Sequence, residues 1–174
     1  MNPVYVISDD FKIVAGGQTG ADQAGLDWAI ANGVAHGGWC PKGRRSEDGP
    51  IDLCYQLKET PNAKYLERTE WNVRDSDATV IFTLDEKLDG GSKKTAEIAK
   101  RLNKPYLHIR PRVSPTCLVK FLERHQVKTL NIAGKRETSA PGIGLFVNLV
   151  LNQCLVLASC ADAPNSINHD ESIA

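Results

Sequence analysis

A chain of 174 residues with 41% hydrophobic and 24% charged side chains has the size and composition to bury its own core as one globular domain. Its 21 Lys and Arg balance its 21 Asp and Glu, so net charge argues against a polyanion partner and nucleic acid is not expected. The cysteines at 40, 54, 117, 154 and 160 are odd in number and fit no zinc spacing, and no secretory signal precedes them, which points to the reducing cytosol.

Lys12 to Ala15 reads as the first strand. Asp22 to Asn32 follows as a helix with Leu26, Ala29 and Ile30 on one face and Gly33 as its stop. Val34 to Cys40 is a second strand running into the loop PKGRRSEDGP. Asn62 to Asp75 has the pattern of a helix that packs Ala63, Leu66 and Val73. DATVIFTL, β-branched and uncharged after Asp77, is the strongest strand. LDGG then opens a helix with Thr95, Ile98, Ala99 and Leu102 on one face, ended by Asn103 and Pro105. PYLHIR is a strand, and Ser114-Pro115 starts a helix as N-cap and first helical residue, with Leu118, Phe121, Leu122 and His125 facing inward. KTLNIAG is the last strand, followed by the loop KRETSAPG and an apolar helix from about Gly142.

The stretch Ile143 to Ala158, broken by Asn148, Asn152 and Gln153, falls short of the roughly 20 apolar residues of a membrane span, so no membrane partner is expected. It carries one apolar stripe for the sheet: Ile143, Phe146, Val147, Val150, Leu151 and Cys154. A second stripe, Leu145, Leu149, Leu155 and Val156, is left for a contact between copies, which predicts a homo-oligomer. Strands alternating with helices predict an α/β fold, a Rossmann-like doubly wound and mostly parallel sheet. The expected organisation is a single domain over 1–158 and a mobile polar tail over 159–174.

In such sheets ligands lie outside the carboxyl ends of the strands, where AGGQTGAD, CPKGRR, LDGGSKKT and AGKRET emerge. Gly16, Gly17 and Gly20 free the chain to turn sharply and bring a ligand against bare N–H groups at a helix start. Gln18 and Thr19 add side-chain donors there, and Asp22 lies in the first turn. Gly90, Gly91, Ser92, Lys93, Lys94 and Thr95 repeat the arrangement at a second strand-to-helix junction. Neither loop matches a dinucleotide or P-loop pattern. Two cradles, with Lys42, Arg44, Arg68, Lys135 and Arg136 in or near the same loops, suit one ligand with two anionic groups.

Asp75, Ser76 and Asp77 precede the strongest strand and either cap the preceding helix end or bond a ligand hydroxyl. Trp39 or Trp71 could stack on a flat heterocycle, whereas Trp28 suits the core. The histidines suit packing or solvent better than base catalysis, and Cys40 reads as a small buried thiol. Arg68 and Glu97 are the one pair suited to acid or electrostatic chemistry, and no metal-ligand cluster is evident.

The ordered blocks GGQTGAD, GGWCPKGRRSEDGP, RTEWNVRDSDATVIFT, GGSKKTAE and LNIAGKRETSAPGI resemble the molybdenum carrier family, the molybdenum cofactor carrier proteins of algae and bacteria. The resemblance covers roughly Lys12 to Val156. It implies a Rossmann-like subunit in a homo-oligomer, a tetramer, that binds molybdenum cofactor (Mo-molybdopterin) without turnover and passes it to molybdoenzymes. A flat pterin with an anion at each end suits two cradles. Two positions depart from the pattern: Gln23 stands where many members carry Arg, and Lys135 where Pro commonly precedes the Arg.

A wider stretch is similar to the lysine-decarboxylase-like phosphoribohydrolases. It implies the alternative activity, a nucleoside 5′-monophosphate N-glycosidase using Arg68 and Glu97. Their GGxGTxxE motif keeps Gly90, Gly91 and Glu97 in register, with Lys93 and Lys94 replacing its Gly and Thr. Lysine there obstructs close backbone approach while adding charge, which favours binding over turnover.

Overall fold

The computed structural model describes residues 3–158; Cys160, His169 and the tail expected over 159–174 lie outside the described residues. The chain opens with β1 (Tyr5–Ile7), a strand the sequence reading left unassigned, then β2 (Lys12–Val14) and α1 (Ala21–Ala31). The strand expected from Val34 to Cys40 divides into β3 (Ala35–Gly37) and β4 (Trp39–Cys40). Gly38 is the break: its φ is +123°, and a Cβ there would meet the Ala15 carbonyl oxygen at 2.4 Å. Asn72 takes over beyond it, accepting from Trp39 N–H at 2.8 Å and donating to the Trp39 carbonyl at 2.9 Å.

A small antiparallel hairpin, β5 (Arg45–Ser46) and β6 (Gly49–Pro50), precedes β7 (Lys58–Glu59), which pairs with β4. The rest alternates as expected: α2 (Tyr65–Arg74), β8 (Ala78–Phe82), α3 (Gly90–Arg101), β9 (Tyr106–Ile109), α4 (Thr116–His125), β10 (Thr129–Gly134) and α5 (Ile143–Cys154). The main sheet has five parallel strands in the order β3-β2-β10-β8-β9.

Side chains alternate across this sheet. Ala78, Val80 and Phe82 of β8 and Leu130 and Ile132 of β10 join the core under α1, α4 and α5. Thr79, Ile81, Asn131 and Ala133 therefore point to the other face, where Val73 of α2 packs on Ile98 and Ala99 of α3. This is the doubly wound α/β architecture expected, with a smaller and more polar second layer. That difference leaves room for a site.

Three helix faces lie slightly off the expected stripe. Ile30 and Leu66 are exposed and His125 is a surface residue; Val73 and Trp28 are buried as expected, and Val119 is buried beside Leu118 and Leu122. Ser114 and Pro115 start α4 as expected: Pro115 has helical φ and ψ, and Ser114 Oγ accepts from Thr116 N–H at 3.3 Å. The last apolar helix stops at Cys154. Leu155 and Val156 belong instead to β11 (Leu155–Leu157), which pairs in parallel with β1 and buries Leu155. Only Leu145 and Leu149 remain of the second stripe, 68% and 50% exposed.

Candidate functional site

A cavity of about 600 Å³ opens at the carboxyl side of the sheet, between α2, α3 and the end of β10. Gln18, Asp22, Arg68, Gly90, Gly91, Ser92, Lys94, Thr95, Lys135 and Arg136 line it, so the structure brings together ten of the candidate site residues named above. Tyr65, Asn131 and Ser139 line it as well. Four cations, Arg68, Lys94, Lys135 and Arg136, face one carboxylate among the lining residues, Asp22.

The first glycine loop is closed by the protein itself. A Cβ on Gly16 would lie 1.7 Å from Arg68 Nη1. One on Gly17 would meet Leu57 and Ile51 side chains at 2.6 and 2.9 Å, and one on Gly20 the Lys135 carbonyl oxygen at 2.5 Å. These glycines admit a guanidinium, an apolar loop and a neighbouring backbone, so they are not an open cradle. Thr19 Oγ1 is likewise spent, donating to Glu47, and Gln23 Nε2 caps the Gly17 carbonyl at 3.1 Å.

The second cluster is open. Nothing lies within 4 Å of where a Cβ would stand on Gly90 or Gly91, and Gly90 holds φ +45°. Asp89 is the N-cap residue of α3, yet its side chain makes no cap and pairs with Lys135 instead. The first N–H groups of α3 are thereby left without a side-chain acceptor, and the helix dipole adds partial positive charge beside the cavity.

Among the described residues, three buried polar side-chain atoms have no hydrogen-bond partner: Gln18 Nε2, Arg68 Nε and Ser92 Oγ. All three belong to residues that line this cavity. The orientation of Gln18 follows from its network, because its Oε1 accepts from Thr19 N–H at 3.1 Å and Glu47 N–H at 3.0 Å. Its amide nitrogen is then the free end, a donor. Native proteins seldom leave buried donors unsatisfied, at a cost of about 1–3 kcal/mol each. Three unsatisfied donors on residues that line one cavity are what acceptor atoms from outside would relieve.

Arg68 Nη1 holds Asp22 Oδ2 at 2.8 Å, and both side chains are largely buried. Burial raises the Asp22 carboxyl above the usual range, while the Arg68 guanidinium and the Gln18 N–H act against it. At the mouth, Arg136 stacks over the Tyr65 ring at 5.3 Å. This pair, rather than a tryptophan, offers the flat surface. Trp39 and Trp71 meet edge to face at 4.7 Å away from the lining, with Trp39 Nε1 donating to Asp75, and Trp28 is in the core.

Other candidate residues are used for structure. The Arg44 guanidinium donates to the carbonyls of Ile51, Asp52, Tyr55 and Leu57, which ties the hairpin loop together. Asp75, Ser76 and Asp77 sit at the amino end of β8: Asp75 pairs with Arg74, Ser76 Oγ donates to the Val73 carbonyl, and Asp77 accepts from Lys128 and Thr129 N–H. Lys42 and Lys93 are exposed outside the lining. Cys40 is fully buried with Ala15, Leu26, Ile51 and Tyr55, and burial pushes its thiol up.

The Arg68 and Glu97 pair is not assembled. Arg68 is committed to Asp22, whereas Glu97 is about half exposed, pairs with Lys94 at 3.3 Å and is absent from the lining. Among the described residues no cluster of His, Cys, Asp and Glu could hold a metal.

A family model described as the circularly permutated YpsA SLOG family matches residues 13–155. A crystal structure described as a "putative molybdenum carrier protein" from Syntrophus aciditrophicus SB is 40% identical, with a TM-score of 0.80 over 88% of this chain and 96% of that one. (E)-4-Hydroxy-3-methyl-but-2-enyl diphosphate reductase matches at 16% identity and a TM-score of 0.37, over 82% of this chain and 59% of that one, too low to carry an argument. No curated protein matches.

Proposed function

We propose, from the premise that the chain belongs to the circularly permutated YpsA SLOG family, that it binds and carries a phosphate-bearing heterocycle of the molybdenum cofactor class. Three unpartnered donors, Gln18 Nε2, Arg68 Nε and Ser92 Oγ, on residues that line one cation-rich cavity carry this reading. A phosphate or similar oxyanion supplies the acceptors those atoms lack, and the open start of α3 favours its charge. The ring would lie toward Tyr65 and Arg136 at the mouth. The 40%-identical neighbour described as a carrier supports a cargo role, as does Glu97 standing outside the cavity. We read Leu145 and Leu149 as part of a contact between copies in a homo-oligomer, a tetramer by resemblance. Molybdoenzymes would receive the cargo.

Anaerobic purification followed by mass spectrometry and metal analysis tests the reading. A retained pterin phosphate with molybdenum, lost from a Ser92→Ala variant, is expected. A retained nucleotide without molybdenum would sink it.

A further inference from the structure

We propose that Glu47 and Asp89 are resident competitors for the two cations at the cavity mouth, released when a ligand's oxyanion takes Arg136 and Lys135. This rests on reading the cavity as an anion site. Lys135 and Arg136 are adjacent on the loop after β10, and each is held from a different side by a carboxylate that does not line the cavity. Asp89, from the loop before α3, pairs with Lys135. Glu47, from the β5–β6 hairpin, stands 3.9 Å from Arg136.

Both pairs are built to be exchanged. Glu47 keeps two hydroxyl donors without Arg136, because Thr19 Oγ1 and Thr138 Oγ1 (the latter at 2.7 Å) both donate to it. Its side chain is only 14% exposed, so those hydroxyls hold it at the mouth after Arg136 has gone. Asp89 is 67% exposed, and water solvates it at once when Lys135 turns inward. Exposed or long ion pairs contribute little to stability, so giving them up costs little. The Lys135 side chain is 16% exposed and in the lining, within the same cavity a bound oxyanion would enter.

The same two residues shape the cavity when it is empty of cargo. Glu47 N–H holds Gln18 Oε1, which keeps Gln18 Nε2 as the free donor. Asp89 is drawn away from the start of α3, which keeps that helix end uncapped. Each carboxylate thus opposes an incoming anion through its charge, while the Glu47 backbone N–H and the Asp89–Lys135 pair leave the donors free.

Calorimetric titration of the full chain with inorganic phosphate at fixed ionic strength tests this, using Glu47→Gln and Asp89→Asn with circular dichroism as a check on folding. Each change is expected to tighten phosphate binding about threefold or more, the effect of removing one like charge several ångströms from a bound anion. Glu86→Gln, which removes a carboxylate paired with Arg110 and Arg112 elsewhere, is the control for net charge and is expected to change nothing. Binding that is unchanged or weaker in both mouth variants, or equally tightened by Glu86→Gln, overturns the proposal. If Ser92→Ala still weakens phosphate binding in that case, the cavity reading stands alone. If phosphate binds neither the wild type nor any variant, both readings fall together.

Discussion

Replacing Gly16 by Ala isolates the buried ion pair without touching either charged residue. The added methyl would lie 1.7 Å from Arg68 Nη1, 2.4 Å from Cζ and 2.8 Å from Cδ, so the guanidinium must leave. The backbone need not, because the obstructed atoms belong to one flexible side chain and Gly16 does not hold a positive φ. Asp22, with a 5% exposed side chain, then loses its cation and keeps the Gln18 N–H at 3.3 Å. Breaking a buried pair from one side costs about 3–5 kcal/mol; Asp22 keeps the Gln18 N–H, so the low end applies. Restricting the unfolded chain returns about 0.4–1 kcal/mol, leaving a net loss of about 2–3 kcal/mol at pH 7.

The deficit must also depend on pH. Without Arg68 the folded-state pKa of Asp22 rises further above its unfolded value of about 3.9. The penalty is then full above the folded-state pKa and disappears below the unfolded one, so the deficit shrinks as pH falls from 7 toward 4. Urea denaturation of Gly16→Ala and wild type at pH 7 and pH 5 measures it, and adding Asp22→Asn should recover most of the loss at pH 7. Equal stability of the two proteins at pH 7, or a deficit identical at both pH values, would refute the reasoning.

Ser92→Ala removes a buried hydroxyl that has no partner, so thermal unfolding should occur at the same or a higher temperature while phosphate binding weakens about five- to tenfold. A clear loss of stability would mean that the hydroxyl is already satisfied. Cys40 and Cys154 are buried, and burial pushes both thiols up, Cys154 to about 11. Native alkylation with iodoacetamide at pH 8, read by peptide mass spectrometry, should modify the exposed Cys54 and Cys117 and spare these two because the reagent cannot reach them. Light scattering should report an oligomer for the wild type and a 19.0 kDa particle for Leu149→Glu; a wild-type monomer would remove the role given to the exposed face of α5.

The strand and helix alternation was legible because β8 and α3 combine strong periodicity with clear ends. Local pattern failed where pairing came from far along the chain. β1 is three residues long and is defined by β11, about 150 positions later, and Leu155 and Val156 left the helix for the same reason. Glycine loops and scattered cations pointed to the end of the sheet at which the cavity opens. What spacing could not show is which glycine opens toward a ligand and which makes room for the protein. Gly16 and Gly90 look alike in sequence, but only the fold places Arg68 against the first. Tyr65 and Asn131 were missed because a lone aromatic on a helix and a lone amide in an apolar strand carry no local signal. The asparagine in KTLNIAG was nonetheless the one polar residue on its strand's inward run, and Asn131 proves to be buried, with Nδ2 on Thr79 Oγ1 at 3.1 Å.

The strand order β3-β2-β10-β8-β9 also sets a timetable for the growing polypeptide. β10 is the last of the five strands to be synthesised and lies in the middle, where both β2 and β8 hydrogen-bond to it. A nascent chain ending before Thr129 holds two half-sheets, β3-β2 and β8-β9, with an open seam between them. Closing that seam brings together segments more than a hundred residues apart, an arrangement associated with slow folding and exposed edges. The chain before Thr129 should accordingly depend on chaperones or remain protease-sensitive on the ribosome, and resistance should appear in one step once the strand through Gly134 has emerged.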